Sequence, residues 1–420
     1  MQVPFQEPPS RQRRKKGFTL AMAGSTLVIG LAACGSSNNS TSGNSSSSTA
    51  SAASCDSPGI TANSITIGVL MPLSGAGVTQ RAGWNDGVNA YFDQLNAAGG
   101  INHRTVNVVV DDDKSTASGS LDSGKDLVEN KSAFSVIEAP LEDGALDYFQ
   151  AQGVPDVGWS TADVGAKHSN FFSITGASLP GTGNSAQAQF MKDQGATNAA
   201  ALAVADPQAI LGGHLFEAAA SQVGLKVGYT RFNIPFVPGD FTADAQAMLS
   251  AHVDAASLSI TNNVAIALYK AAKQAGVNFK AYVFPTFYDP AAEAQVANDV
   301  AGTFTALNAA PFELKQSESV KFQNAIQKYV PSGKANLIAF DGWLSADFTA
   351  EILQSLGGCP TRSAFIDAMQ KKSYDGHGAL GYSVQYHQPV LCSWFAKLTT
   401  SGYQPVGSKP VCGQKVTASS

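Results

Sequence analysis

Charged residues are scarce in this chain. Asp, Glu, Lys and Arg make up 14% of its 420 residues, and the formal net charge is -5. The sequence has no basic cluster after residue 16. Proteins that bind nucleic acids need a basic patch to neutralise phosphates, so the composition argues against a nucleic-acid partner.

Long apolar runs are also missing, since none reaches the roughly 20 residues that a membrane-spanning helix requires. One shorter run, Phe18–Ala33, follows a basic block that ends at Lys16, which is the pattern of a secretory signal. It leads into Leu-Ala-Ala-Cys-Gly, which resembles a bacterial lipobox. We therefore expect cleavage before Cys34 and lipid attachment to its thiol. The alternatives are an uncleaved anchor, or ordinary secretion with an incidental cysteine.

The common motifs of hydrolases and metal sites are absent too. The sequence contains no GxSxG, no HExxH, no Cys-x-x-Cys and no EF-hand spacing. Asp111, Asp112 and Asp113 are successive residues that cannot converge on one ion, so we interpret them as a solvated turn. The six histidines suit surface or turn positions better than metal ligation. We expect a binding protein that is not an enzyme and needs no cofactor or metal.

The most informative stretch is Ile65–Gly87. Its apolar, β-branched start, Ile65–Met71, predicts a strand buried on both faces. Pro72 and the glycines after it predict a turn, and apolar residues at three- and four-residue steps from Trp84 predict a helix packed on a sheet. In open α/β sheets, ligands bind at the turns beyond the carboxyl ends of strands. This turn matches neither GxGxxG nor GxxxxGK[ST], so a nucleotide ligand has little support.

The same alternation of strands and helices continues along the chain. Strands are predicted at 106–110, 134–138, 154–158, 171–174, 200–205, 225–230, 255–260 and 279–284. Helices are predicted at 118–130, 185–194, 209–223, 242–251, 264–276, 317–329, 342–356 and 361–371. This order predicts an α/β fold with two doubly wound parallel-sheet lobes.

Length and composition divide the chain further. After the signal peptide, a stretch rich in Ser, Asn and Thr predicts a flexible tether. The remaining residues, about 365, are more than one core usually holds, which favours two lobes. We assign residues 1–33 to the signal peptide, 34–57 to the tether, 58–178 and 306–385 to an N-terminal lobe, and 179–305 and 386–415 to a C-terminal lobe.

Five cysteines become four once Cys34 carries a lipid, and four allow three disulfide connectivities. Cys392 and Cys412 lie equidistant from Gly402, the expected centre of a hairpin turn, so they can face each other on antiparallel strands. Cys55 precedes the first strand and Cys359 follows a helix that returns to the same side. We predict Cys392–Cys412 and Cys55–Cys359, with the other connectivities open.

Short segments in a fixed order carry a resemblance to a known family. They are IGVLMPLSG, LNAAGGI, VVVDDD, QGVPDVG, FFSIT, AAKQAGV and YDGHGALG, between about Ile65 and Leu398. In this order, behind a lipobox and a Ser-rich tether, they resemble the type I periplasmic solute-binding proteins of the leucine/isoleucine/valine-binding kind. The resemblance implies two lobes joined by a three-crossover hinge, and a role as the ligand-capturing subunit of an ABC importer.

The resemblance also implies ligand contacts at strand-end turns of the N-terminal lobe. Gln80 lies where relatives often have a ligand-facing aromatic residue. Glu142 and Asp143 lie where many relatives have paired serines. Ser160 and Thr161 fall on the pair that often binds a carboxylate in amino-acid binders.

In the C-terminal lobe, Thr261 and Asn262 fall in the turn that faces the other lobe. Thr286 lies where amino-acid binders often carry an acid for the ligand's ammonium group, and the missing acid argues against an α-amino-acid ligand. Glu142 or Asp143 could supply that charge from the other lobe. The alternative is that these two are acids at a helix N-terminus.

Other candidate contacts follow from the residues themselves. Ser74 and Asp206 occupy strand-end turns, where their side chains could face a ligand. Trp159 and Phe287 (with Tyr288 beside it) are large aromatics at the ends of buried strands, one in each lobe, and could stack on an apolar or planar ligand. Packing in the core or at the rim is the alternative for these rings.

These observations predict an exported, lipid-anchored and monomeric solute-binding protein on the outer face of the cell membrane. Its expected partners are a small ligand (amino acid-like, amide, aromatic or branched-chain) and the permease and ATPase of an ABC importer. The alternative is a cell-surface receptor or sensor module that binds without transport.

Overall fold

The structure, a computed structural model, describes residues 57–418 except 160–164, 177–178, 180 and 286. The predicted signal peptide, the tether up to residue 56, Cys34 and Cys55 therefore lie outside the described residues. Among those described, no helix combines the length and the apolar character that a bilayer span requires.

Strands and helices alternate as predicted. The strands are β1 Ser64–Met71, β2 Thr105–Asp112, β3 Ser135–Glu138, β4 Asp156–Gly158, β5 Phe171–Ser173, β6 Thr182–Asn184, β7 Asn198–Val204, β8 Lys226–Ile234, β9 Ala255–Ser259, β10 Ala281–Phe284, β11 Phe304–Leu307, β12 Ser373–Tyr374, β13 Val384–Gln385, β14 Cys392–Thr399, β15 Gly402–Pro405, β16 Val411–Cys412 and β17 Lys415–Thr417. The α-helices are α1 Trp84–Ala97, α2 Ala117–Lys125, α3 Leu146–Ala151, α4 Ala186–Asp193, α5 Pro207–Val223, α6 Thr242–Ser250, α7 Asn262–Ala275, α8 Pro290–Val300, α9 Ser317–Tyr329, α10 Leu337–Ser355 and α11 Arg362–Lys371.

The first sheet has the order β2-β1-β3-β4-β5, and all its strands are parallel. Its inner strand β1, between β2 and β3, is buried on both faces, as the apolar run predicts. Ile67 and Val69 join the core that includes α1 and α10, whereas Leu70 joins a separate core formed with α3 and the helical turn Asp126–Asn130 that follows α2. The carboxyl ends of these strands therefore share one edge, held rigidly from both sides.

The second sheet has the order β15-β14-β11-β10-β9-β7-β8, with β16 paired to β14. The strands from β8 to β11 are parallel, and the hairpin β14–β15 adds antiparallel strands at one side. Cys392 pairs with Cys412 across β14 and β16, and their sulfurs form a disulfide, so this predicted bridge is confirmed. Cys359 is also disulfide-bonded, but Cys55 lies outside the described residues, so that pairing stays a prediction.

The chain passes between the two sheets three times. It leaves the first sheet after β5, returns after β11 through α9 and α10, and rejoins the second sheet at β14. α9 and α10 pack on α1, and α10 also contacts β3 and β4. The lobe boundaries remain a proposal, and the boundary proposed at 305/306 falls inside β11.

The contact between α1 and α10 is unusually close. A Cβ atom added to Gly87 would lie 1.7 Å from the carbonyl oxygen of Ala339, and one added to Gly342 would lie 2.2 Å from that of Trp84. Each helix therefore uses a glycine to bring its backbone against its partner, and a larger side chain has no room at either position.

One expectation about the elements is wrong, and two elements were not predicted. Asp111 and Asp112 form the end of β2 and do not lie in a solvated turn, and Asp113 is fully buried. The sequence analysis predicts neither α8 nor β11; β11 has only four residues and follows directly on Gly302 and Thr303.

Candidate functional site

A cavity of about 230 Å³ lies where the carboxyl ends of the two parallel sheets meet. From the side of the first sheet and α10 it is lined by Trp159, Thr175, Leu337, Ile338 and Asp341. From the side of the second sheet it is lined by Pro285, Ala306, Leu307, Asn308, Cys392 and Ser393, and Asn184, Tyr382 and Val390 complete its wall. This is the edge at which open α/β sheets bind ligands.

Asp341, in the second turn of α10, is the buried acid of this wall. Its side chain is 2% exposed, and its Oδ1 accepts a hydrogen bond of 2.7 Å from Asn308 Nδ2. Burial raises the pKa of Asp341 to about 7, although the Asn308 hydrogen bond and the charge of Arg81 act in the opposite direction. Asn308 directly follows β11, so this bond joins α10 to the edge of the second sheet.

Tyr382 extends the same network, because its hydroxyl donates to the carbonyl oxygen of Asn308. Burial, with the nearby charge of Asp341, raises the pKa of Tyr382 above its ordinary value, so the phenol stays protonated near neutral pH. Asn308 is thus held by its amide and its carbonyl, from two separate segments of the chain.

Arg81 lies behind Trp159, just before α1. Its guanidinium carbon is 4.2 Å from the centroid of the Trp159 ring, a cation–π contact. Its Nε donates to Ala139 O at 3.1 Å and its Nη2 to Pro140 O at 3.2 Å, and its side chain is 3% exposed. Burial lowers the pKa of Arg81 to about 10, so it is still charged at neutral pH. Arg81 therefore fixes the ring of Trp159 to the turn that follows β3.

Trp159 is the predicted contact that the structure places on the cavity wall. Ser74 lies in the turn after β1, where its Oγ donates to Asp112 Oδ2 at 2.6 Å. Gln80 and Glu142 are exposed, and Asp143 is half-buried. The charge of Asp143 acts on Arg81, which brings this acid near the Trp159 side of the site.

The predicted contacts of the other lobe are arranged differently. Asp206 caps α5, because its Oδ1 accepts from the amides of Gln208 and Ala209 at 3.0 Å each. Asn262 begins α7, and its Oδ1 is buried with no hydrogen-bond partner among the described residues.

Thr261, just before α7, donates from its Oγ1 to Phe236 O at 3.3 Å. Phe287 is 6% exposed and packs against Phe284, with ring centroids 5.4 Å apart, as core packing would have it. Tyr288 is also buried, and its hydroxyl donates to Glu313 at 2.6 Å. Ser160, Thr161 and Thr286 lie outside the described residues, so their contacts stay predictions.

The sequence pattern does not indicate four residues of this site: Asp341, Asn308, Tyr382 and Arg81. The predicted helix at 342–356 begins one residue after Asp341, whereas α10 begins at Leu337. A signal for the earlier start was present, because Asn336 precedes the apolar run and its side chain accepts from Ala339 N at 2.9 Å as an N-cap.

A second acidic cluster lies on the far part of α10. Oxygen and nitrogen atoms of Asp347, Glu351 and His377 lie within 4.8 Å of one another. Asp347 already accepts from the hydroxyls of Tyr91 and Tyr374, and Lys372 Nζ lies 2.9 Å from Glu351 Oε2. Hydrogen bonding to Asp347 raises the pKa of His377 to about 9. The protonated imidazole and the lysine supply the positive charge that a metal would bring, so this cluster serves as an ion-pair network.

The sequence and the fold resemble those of known proteins. The sequence profile of a family described as periplasmic binding protein matches residues 64–403. No curated protein sequence matches the chain significantly.

Solved structures share the fold. A solute-binding protein of an ABC transporter from R. palustris, in complex with benzoate, has a TM-score of 0.67 at 17% identity, over 84% of this chain and 97% of that one. The branched-chain amino acid transporter substrate-binding protein LivJ from Streptococcus pneumoniae, in complex with isoleucine, has a TM-score of 0.68 at 16% identity, over 83% and 100%. A solute-binding protein from Rhodopseudomonas palustris BisB5, in complex with 3,4-dihydroxybenzoic acid, has a TM-score of 0.66 at 14% identity, over 84% and 98%.

The family profile covers the first sheet, the second sheet up to the start of β15, and all three passages between them. Together with two mostly parallel sheets and a cavity at their carboxyl ends, it shows that the chain belongs to the type I periplasmic binding protein family.

Proposed function

We propose that this protein is the lipid-anchored solute-binding subunit of an ABC importer. It captures a small organic ligand between the edges of its two sheets and delivers it to a permease. The observation that carries the proposal is the cavity, which has walls from both sheets and from α10. A ligand held by both sides favours the closed arrangement, because only that arrangement makes both sets of contacts.

The ligand class follows from the wall. The wall has an apolar surface formed by Trp159, Leu337, Ile338 and Val390, and its polar residues include Asn308. Such a wall suits an amino acid-like, amide, aromatic or branched-chain compound. The solved relatives in complex with benzoate and with isoleucine are consistent with this range. We also propose that the other strand-end residues predicted from the sequence contact the ligand.

Trp159 provides the test of the site. Trp84, Trp343 and Trp394 are at most 2% exposed, whereas Trp159 is half-buried, so a fluorescence change on ligand binding should come from Trp159. A thermal-shift screen identifies a ligand first. Trp159→Ala should then weaken its binding by about 3 kcal/mol or less, because stacking area is lost.

Trp159→Phe is the matched control, since it keeps a ring over Arg81, and it should lose the fluorescence response while keeping most of the affinity. Equal affinity of wild type and Trp159→Ala, with both folded by circular dichroism, would show that the ligand binds elsewhere.

The lipid anchor has its own test. Cys34→Ser removes the sulfur to which the lipid would attach, so the variant should leave the membrane fraction for the medium or persist uncleaved. Fractionation with mass spectrometry of the N-terminal peptide measures this. If wild type and variant partition alike and neither carries lipid, the chain is not a lipoprotein.

A further inference from the structure

We propose that the cavity binds a ligand with a positively charged amine on an apolar body, and that Asp341 is the carboxylate that binds this amine. This inference rests on the proposed solute-binding function and specifies its ligand.

The charge of the wall carries the argument. Among the described residues that line the cavity, Asp341 is the acid, and none is Lys, Arg or His. Its carboxylate accepts from the neutral amide of Asn308 and forms no ion pair with a described residue. A buried carboxylate without a cation is costly, and a cation supplied by a ligand would remove much of that cost.

Arg81 does not make this an anion site. It lies behind the ring of Trp159, is absent from the cavity wall, and directs two of its donors to the carbonyls of Ala139 and Pro140. An anionic ligand in the cavity would therefore meet Asp341 before any described cation. The electrostatics favour a cation at this wall.

The rest of the ligand follows from the apolar part of the wall. Trp159, Leu307, Leu337, Ile338 and Val390 line the same cavity as Asp341. The other polar residues of the described wall, Thr175, Asn184, Asn308, Tyr382 and Ser393, are uncharged, so they would form no ion pair with a second end of the ligand. The geometry suits a primary or secondary amine attached to an aromatic ring or a branched hydrocarbon chain.

Asp341 also holds Asn308, and the experiment must separate this role from ligand binding. Asp341→Asn keeps a side-chain oxygen that can accept from Asn308 Nδ2 and removes the negative charge. If Asp341 served only to hold Asn308, this variant should therefore bind amines almost as tightly as wild type. Asp367→Asn, on the exposed face of α11, makes the same change of net charge away from the cavity and is the control.

Isothermal titration of the purified protein with two matched series tests the inference. The probes are benzylamine, benzyl alcohol and benzoate, and isoamylamine, isoamyl alcohol and isovalerate. Wild type should bind the amines about tenfold or more tightly than the alcohols, and the acids most weakly. Asp341→Asn should bind the amines about tenfold or more weakly than wild type does, with little change in its affinity for the alcohols. Asp367→Asn should have the same affinities as wild type.

The pH dependence gives an independent readout. Because burial raises the pKa of Asp341 to about 7, amine binding should strengthen as pH rises from about 6 to about 8 and the carboxyl ionises. The other groups around Asp341 are Asn308, the protonated Tyr382 and the charged Arg81, and none of them changes charge in this range. Asp341→Asn should abolish the trend, and the alcohols should not show it.

The outcomes are distinct. Alcohols or acids binding as tightly as amines would overturn the inference and leave solute binding intact. Amine preference that survives in Asp341→Asn would overturn the role of Asp341. If no compound of these series or of a wider screen stabilises the protein, the proposed function fails and the inference fails with it.

Discussion

Replacing Gly87 with alanine should lower the free energy of unfolding by about 3 kcal/mol or more. The new Cβ would lie 1.7 Å from the carbonyl oxygen of Ala339 and 2.8 Å from the amide nitrogen of Trp343, and both are backbone atoms that cannot rotate away. The helices must separate, which breaks the packing of Trp84 and Trp343, both almost fully buried. Alanine's higher helix propensity, worth about 1 kcal/mol, is too small to compensate.

Chemical denaturation measures this effect. Gly239→Ala is the control, because nothing lies within 4 Å of a Cβ added there, and it should stay within about 0.5 kcal/mol of wild type. Gly342→Ala should behave like Gly87→Ala. The double variant should lose less unfolding free energy than the two single variants lose in total, because one separation of the helices relieves both clashes. A Gly87→Ala protein as stable as Gly239→Ala would mean that the helices are not in backbone contact.

Replacing Glu138 with glutamine should stabilise the protein near neutral pH, by about 2 kcal/mol. Glu138 and Asp156 are fully buried on the neighbouring strands β3 and β4, two positions apart in register. Burial raises the pKa of both carboxyls well above their ordinary values. For Glu138 the charges of Asp156, Asp143 and Asp113 act in the same direction.

The sign of the pH effect follows from these raised pKa values. In the unfolded chain both acids ionise above about pH 4 to 5, whereas in the folded protein they retain protons to higher pH. Folding therefore takes up protons, and its free energy becomes less favourable as pH rises, by up to about 1.4 kcal/mol per pH unit for each proton. Glutamine is neutral at every pH, so Glu138→Gln should reduce this slope.

Urea denaturation at a series of pH values between about 4 and 8 checks the prediction. The stabilisation by Glu138→Gln should grow with pH and be small near pH 4. Glu142→Gln, at an exposed position on the turn after β3, is the control, and it should leave the pH dependence of the free energy of unfolding unchanged. A stabilisation that is the same at all pH values would show that Glu138 is ionised in the folded protein.

Much of the fold could be predicted from the sequence because its elements carry local periodicity. The helix predicted at 317–329 is α9 with the same ends, and the buried strand at Ile65 is β1. The hairpin that brings Cys392 to Cys412 is also local, since its turn lies midway between them.

The cavity could not be predicted to the same degree, because its wall is assembled from distant segments. Trp159 lies at the end of a strand, where the fold class already places ligands. Asp341 comes from a helix whose side chains face the core, and Asn308 follows a strand too short for a periodic signal. Nothing in a local pattern brings these three residues together, because their proximity depends on how α10 packs on α1 and β4.

The contact between α1 and α10 also has a consequence for the order of folding. α1 and the five strands of the first sheet are complete by Ser173, but α10 does not begin until Leu337. At about 5–20 residues per second, the ribosome needs on the order of ten seconds or more to make the segment between them. During that time the core around Ile67 and Val69 has α1 but lacks α10, which completes it. Contacts of such long sequence separation also close slowly. We therefore expect the nascent chain to be prone to aggregation until the last fifth of the chain, which begins with α10, is made.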